Sequence, residues 1–188
     1  MLKCSFKLVG IAPYSQGKVV QSPKNSGETG DAYEQRTWRE RLHVDGDGFV
    51  FIPPQAIKSV LVDVAKFLGE SVPGKGKSTY TKHFTAGVMV IDPLTLSVKA
   101  ADVKAEKLFV PSDGKVGGGK RVWKLFPVIP EWSASGELFA IDPVLADKPE
   151  KIQEYLEQAG RFIGIGRFRP RNGGFNGRFN VESFKVHK

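Results

Sequence analysis

The sequence predicts an α+β fold: an antiparallel sheet carrying two helices, with long loops inserted between the elements. Three observations predict it. Residues 2–11 alternate apolar and polar side chains as a half-buried strand does. Two segments, 54–68 and 149–159, repeat apolar residues at helical spacing. The segments 12–32, 70–84 and 111–121 collect Gly, Lys, Pro and Ser without periodicity and read as inserted loops.

In the first strand Leu2, Cys4, Phe6 and Leu8 share one face, with Lys3, Ser5 and Lys7 on the other. Cys4 therefore reads as a small core residue. After the loop over 12–32, residues 33–44 are expected to form a strand. The turn Asp45-Gly46-Asp47-Gly48 joins it to a second strand over 49–52, because Asp-Gly between two such runs is a hairpin signal. Pro53-Pro54 presets the start of the first helix. Its stripe is Ile57, Val60, Leu61, Val64 and Leu68, and Gly69 ends it. The loop 70–84 leads to an expected strand over 85–92. Short strands follow near 108–110, 122–125 and 138–141, with a basic glycine loop between the first two. The second helix has Ile152, Tyr155, Leu156 and Ala159 on its stripe and Gly160 as its expected stop. A strand over 179–186 follows the glycine-rich segment 160–178.

A chain of 188 residues suits one domain spanning 1–188 and is long enough to bury a core. No apolar run approaches the roughly 20 residues that cross a bilayer, and the polar start MLKCSFKLVGIAP does not suit a secretory signal. Cys4 is the one cysteine, which leaves no disulfide framework and no cysteine zinc site; the expected compartment is the cytoplasm. Twenty-eight Lys and Arg against twenty Asp and Glu give a net charge of +8. The excess is uneven. Residues 160–188 carry Arg161, Arg167, Arg169, Arg171, Arg178, Lys185 and Lys188 against Glu182 alone, and 115–124 carry Lys115, Lys120, Arg121 and Lys124 with no acid. Positive charge concentrated on loops is the footprint of a polyanionic partner.

The segment 160–178 is the leading candidate site. Gly160, Gly164, Gly166, Gly173, Gly174 and Gly177 allow close backbone approach. Arg161, Arg167, Arg169, Arg171 and Arg178 interleave with Phe162, Phe168, Phe175 and Phe179. Guanidinium forks and backbone amides hold phosphates, and aromatic faces stack on unpaired bases. The same glycines would also serve tight turns, and some of the phenylalanines must be core. The loop 70–84 is a second candidate, with Lys75, Lys77, Lys82 and His83 around Tyr80 and Phe84; Lys120 and Arg121 add a third basic cluster. The start of the first helix offers unpaired N–H groups to a phosphate. Catalytic constellations are thin. His43, His83 and His187 lack metal-ligand spacing, Asp45 and Asp47 sit in a turn, and Asp31 stands alone in a loop. No catalytic residue, metal site or cofactor is expected.

The order of these signals resembles the RAMP superfamily of CRISPR-associated RNA-binding proteins. Phe51-Ile52-Pro53-Pro54-Gln55-Ala56-Ile57-Lys58 is similar to that family's Ile-Pro-Gly-Ser-Ser-Leu-Lys-Gly stretch, which opens its first helix and contacts RNA. Ile52, Pro53 and Lys58 match, whereas Pro54, Gln55, Ala56 and Ser59 depart from the small-residue pattern. The glycine-rich segment between the last helix and last strand resembles the family's namesake loop. The resemblance implies a ferredoxin-like or RRM-like core. It also implies a subunit most like the repeated backbone protein of effector complexes. The implied partners are guide RNA, with the target strand as a further candidate, other copies of the chain along that RNA, and other effector subunits. The loops 12–32, 70–84 and 111–121 would grip RNA and neighbouring copies, and Lys58 would contact RNA at the helix start. Asp31 is the counterpart of the loop aspartate with which some backbone subunits cut target RNA. Two rival classes stay open: an endoribonuclease of the same superfamily using His83 or Tyr80 as acid–base, and a phage single-strand DNA-binding protein. A phage-borne mimic that interferes with such complexes is a further variant.

Overall fold

A computed structural model of the chain describes residues 1–114, 117 and 119–187; Lys115, part of the basic stretch noted above, lies outside the described residues. The N-terminal half contains β1 (Leu2–Gly10), β2 (Tyr14–Ser15), α1 (Gly30–Thr37), β3 (Phe49–Ile52), α2 (Pro54–Leu68), α3 (Tyr80–Gly87), β4 (Val88–Met89) and β5 (Leu94–Lys99). There follow β6 (Lys104–Pro111), β7 (Arg121–Ile129), β8 (Ser133–Ala140), α4 (Pro143–Ala146), α5 (Pro149–Phe162) and β9 (Phe179–His187).

The main sheet runs β3-β5-β8-β1-β9, with β4 also pairing β8, and every pairing is antiparallel. Taken with α2 after β1 and α5 after β8, the strands β1, β5, β8 and β9 give the β-α-β-β-α-β order of a ferredoxin-like core. The fold class expected from the sequence is the one observed.

The alternation in β1 sets the layers. Cys4, Phe6 and Leu8 are buried toward the helices, each apolar side chain of Leu or Phe size adding about 1.5–3 kcal/mol on burial. Lys3, Ser5 and Lys7 face the other way, where Lys3 pairs with Glu137 at 2.9 Å and Ser5 Oγ meets His187 Nε2 at 2.8 Å. Phe6 pairs with Gly136 across β8, and a Cβ there would come within 2.9 Å of the Phe6 ring. In α2 the expected stripe is buried through Ile57, Val60, Leu61 and Val64, and Gly69 ends the helix in the left-handed region at φ 58°. In α5, Ile152, Tyr155, Leu156 and Ala159 are buried as the pattern requires.

Four expectations need correction. Residues 33–44 are not a strand. Thr29 caps α1 by accepting from Ala32 N–H at 3.2 Å, and the helix continues into a 3₁₀ turn over Trp38–Arg41. Glu34, Thr37, Trp38 and Leu42 are the buried positions, a helical and not a strand period. The expected hairpin at 45–48 keeps only a bridge between Val44 and Val50, and β3 pairs with β5 instead. The loop 70–84 stops at Thr79, because Tyr80, His83, Phe84 and Gly87 form the buried face of α3, which leaves only β4 of the strand expected over 85–92. Finally, Gly160 does not end α5, which runs on to Phe162. Its missing side chain serves packing: a Cβ there would lie 2.0 Å from the Phe179 carbonyl oxygen of β9.

Beside the main sheet stands a three-stranded one, β2-β7-β6, whose β6–β7 hairpin is paired from Lys104–Val128 to Pro111–Arg121. The short strands expected near 108–110 and 122–125 fall within it. Arg41 joins it to α1: its guanidinium donates to Leu125 O at 3.0 Å and to both Glu34 carboxylate oxygens, while Leu125 N–H donates to Glu34 at 3.0 Å.

Candidate nucleic-acid interface

Between the two sheets opens a cleft of about 800 Å³. Its walls come from residues far apart in the chain: Gln16 to Lys18 after β2, Arg41 and His43 before β3, Pro53 and Ala56 at the start of α2, Lys124 and Phe126 on β7, and Gly166 to Phe168 of the glycine-rich segment. Lys18, Arg41, Arg121, Lys124 and Arg167 all line it, and among the described residues no Asp or Glu does.

The glycine-rich segment reaches the cleft because it is pinned across β2. Arg167 N–H donates to Ser15 O at 2.7 Å and Gly177 N–H to Pro13 O at 2.7 Å. Gly166, at φ 79°, makes the crossing, since a Cβ would sit 2.4 Å from Ser15 O. The Arg167 guanidinium is thereby laid over the Phe126 ring, 3.3 Å from its centroid. Burial lowers its pKa from the ordinary arginine value, and the acid that acts on it, Glu106, does so only at a distance. Among the described residues it has neither ion pair nor side-chain hydrogen bond. Arg41 lies over the same ring at 5.0 Å, but its charge is answered by Glu34.

Opposite, Gln16 ties the wall together. Its amide donates to Phe51 O at 2.8 Å and to Tyr14 Oη at 2.9 Å, and its carbonyl accepts from His43 N–H at 2.6 Å. Burial, and then the charge of Lys18, hold the His43 imidazole below the usual histidine value. At the rim, Phe168 occupies the left-handed region at φ 58° with its ring half exposed. A non-glycine residue held there costs about 1–3 kcal/mol, strain of a kind that gathers at functional sites.

No family model matches this chain, and no curated protein does. Among solved structures the chain is similar to one in the cryo-EM structure of the Type III-B Cmr-beta bound to cognate target RNA, with a TM-score of 0.56 at 10% identity. That match covers all of this chain and 61% of the other. It is also similar to Cmr6 from Pyrococcus furiosus, with a TM-score of 0.50 at 14% identity, over 96% of this chain and 98% of that one. The chain has the fold of these Cmr proteins. It spans about 61% of the length of the chain it matches in the Cmr-beta structure.

On this Cmr-like fold the residues singled out from sequence separate into groups. Arg121 and Arg167 line the cleft. Arg169 and Arg171 turn instead to α2 and share Asp63, Arg169 at 3.4 Å and Arg171 in closer contact. Arg178 donates to Arg161 O at 2.7 Å beside the end of α5, and Lys75, Lys77, Lys82 and Lys120 are exposed away from the cleft wall.

Three of the expected contacts face inward and are corrected here. Tyr80 is fully buried with its ring tilted against that of Tyr155, and His83 is buried with Nδ1 2.9 Å from Asp142 Oδ2; both lie on the core face of α3. Lys58 bends under the end of α3, donating to Phe84 O at 2.6 Å and Val88 O at 2.5 Å, and burial lowers its pKa. Of the interleaved phenylalanines Phe179 is core, whereas Phe162, Phe168 and Phe175 are about half exposed. Asp31 pairs with Lys107 at 3.1 Å on the surface, and Asp45 spends its carboxylate on the N–H groups of Asp47 and Phe49. Lys18, Arg41, His43 and Phe126 were not singled out from sequence. Lys18 lies in an aperiodic loop, Arg41 and His43 in a segment read as strand, and nothing local marks Phe126 as the shelf for an arginine 41 residues later.

Proposed function

We propose that the chain binds single-stranded RNA along its sugar-phosphate backbone in this cleft, as a repeated guide-RNA-coating subunit of a CRISPR-type effector complex. The observation that carries the reading is Arg167, a half-buried guanidinium aimed into a cleft without a carboxylate partner. Desolvating an unpaired cation is costly, and an incoming phosphate restores the missing charge partner with bidentate hydrogen bonds. Lys18, Arg121 and Lys124 extend the same potential along the cleft. The fold shared with a protein whose structure contains cognate target RNA supports the choice of RNA. On this reading the segments 12–32, 70–79 and 111–121 are the arms that reach RNA and neighbouring copies, and guide RNA, target strand and other effector subunits are the partners.

The test is to purify the chain, ask whether RNase or DNase removes any nucleic acid it carries, and titrate it with RNA of increasing length. The expected result is copies added in proportion to RNA length, with affinity falling steeply as salt rises. Equal or tighter binding to single-stranded DNA would favour the DNA-coating rival. A strict one-to-one complex on long RNA would remove the backbone-subunit role.

A further inference from the structure

The β6–β7 hairpin has two faces, and the cleft uses one. Alternation places Val110, Lys124 and Phe126 toward the cleft, while Phe109 and Trp123, directly paired across the strands, point outward. Their rings are in contact, with centroids 5.0 Å apart, yet Phe109 remains 46% and Trp123 49% exposed. Each ring carries a cation: Lys107 Nζ lies 5.4 Å from the Trp123 centroid, and Arg121 Cζ lies 5.4 Å from that of Phe109. A cross-strand aromatic pair steadies a hairpin by only about 0.2–1 kcal/mol, which does not account for leaving two large rings half in water.

Resting on the RNA-binding reading above, we infer that this outer face is a second binding site, taking unpaired nucleobases of the bound strand by stacking on Trp123 and Phe109. Charge and continuity favour a nucleic acid strand over a protein partner. Arg121 belongs to both places: it lines the cleft and overlies Phe109, so a strand held by its phosphates in the cleft meets this face as it passes the hairpin. Lys107 is paired in the free chain with Asp31 at 3.1 Å, where Asp31 is 66% exposed in its side chain, and a phosphate can compete for an ion pair that weak. A flat aromatic face flanked by cations accepts any base, since every base has a π-face; a duplex, with its bases already stacked, gains nothing from it.

Trp38 and Trp132 are buried, at 6% and 5% exposed, so the RNA-induced quenching that is lost in Trp123→Phe reports on this face. The experiment titrates the full chain with a single-stranded RNA, with an abasic strand of equal length, and with the fully paired RNA duplex. Quenching by the single strand alone is expected. Trp123→Ala is expected to weaken single-strand binding about tenfold without changing the salt slope, while Trp123→Phe retains affinity. Saturating single-stranded RNA that leaves the emission unquenched, or an abasic strand bound equally well, would overturn the second site and leave the cleft standing. Failure of every strand to bind would remove both. A Trp123→Ala variant that keeps its RNA affinity but loses self-association would overturn the inference and reassign the face to protein contact.

Discussion

Gly160 and Phe179 are in contact at a point where no side chain fits: a Cβ on the helix residue would lie 2.0 Å from the strand residue's carbonyl oxygen. Glycine inside an exposed helix is normally worse than alanine by up to about 1 kcal/mol. Here the sign reverses. Gly160→Ala is expected to push α5 off β9 and destabilise the chain by about 1–3 kcal/mol, read as a lower urea midpoint at unchanged slope.

Arg167 and Arg169 stand two residues apart but have different work. Arg167→Ala removes the unpaired cation of the cleft and is expected to weaken RNA binding by about 1.5–3 kcal/mol, equally for all sequences. Arg169→Ala breaks a contact to Asp63 and should act chiefly on stability. Fluorescence anisotropy across a salt series checks both, and the shallower salt slope belongs to Arg167→Ala.

His43 predicts a pH dependence of RNA binding. Its pKa is held low by burial and Lys18, so the free cleft carries a neutral imidazole at neutral pH. A phosphate beside it favours the imidazolium, so binding takes up a proton and affinity rises by a few-fold as pH falls from about 7.5 to about 5.5. Folding responds in the opposite sense. The folded chain binds fewer protons at His43 than the unfolded chain does, so stability declines as pH drops through the unfolded value near ~6.5. Anisotropy titrations should show the rise in the wild type and a smaller one in His43→Ala.

His83 belongs to the core. Against the burial that would raise it, hydrogen bonds from His83 and Val144 N–H hold the Asp142 carboxyl below its usual range, and Asp142 also caps α4. His83→Ala leaves that carboxylate without its partner and is expected to cost about 1–3 kcal/mol of stability with RNA affinity unchanged. RNA cleavage that is present in the wild type and abolished in a folded His83→Ala variant would contradict this assignment.

The core was legible wherever local pattern and tertiary burial agree. Ile57 to Val64 and Ile152 to Ala159 repeat at 3.6 residues, and Cys4, Phe6 and Leu8 at two, because each faces one continuous apolar layer. Residues 33–44 misled because half of their buried positions are polar, Glu34 and Thr37 beside Trp38 and Leu42. Glu34 is buried by its pairing with Arg41, and no scale of hydrophobic alternation registers that. Tyr80 and His83 misled for the converse reason: a lysine-rich neighbourhood hid an apolar helical face. The cleft was half visible. Composition marked the glycine-arginine segment, but which arginine would face a cavity and which would face Asp63 depends on Gly166 crossing β2, a contact between residues about 150 positions apart.

That distance shapes how the protein is made. β1 is central in the main sheet and the earliest strand in the chain, yet its partners are β8 and β9, the last two. On the ribosome Cys4, Phe6 and Leu8 therefore stay unpaired while more than a hundred residues are added, and the cleft has no floor until Gly166 arrives. Such non-local pairing folds slowly and leaves apolar strand edges open to aggregation in the interval. The cleft is accordingly a late feature of the chain: until the glycine-rich segment is added, Lys18, Arg41 and Lys124 have no Arg167 beside them.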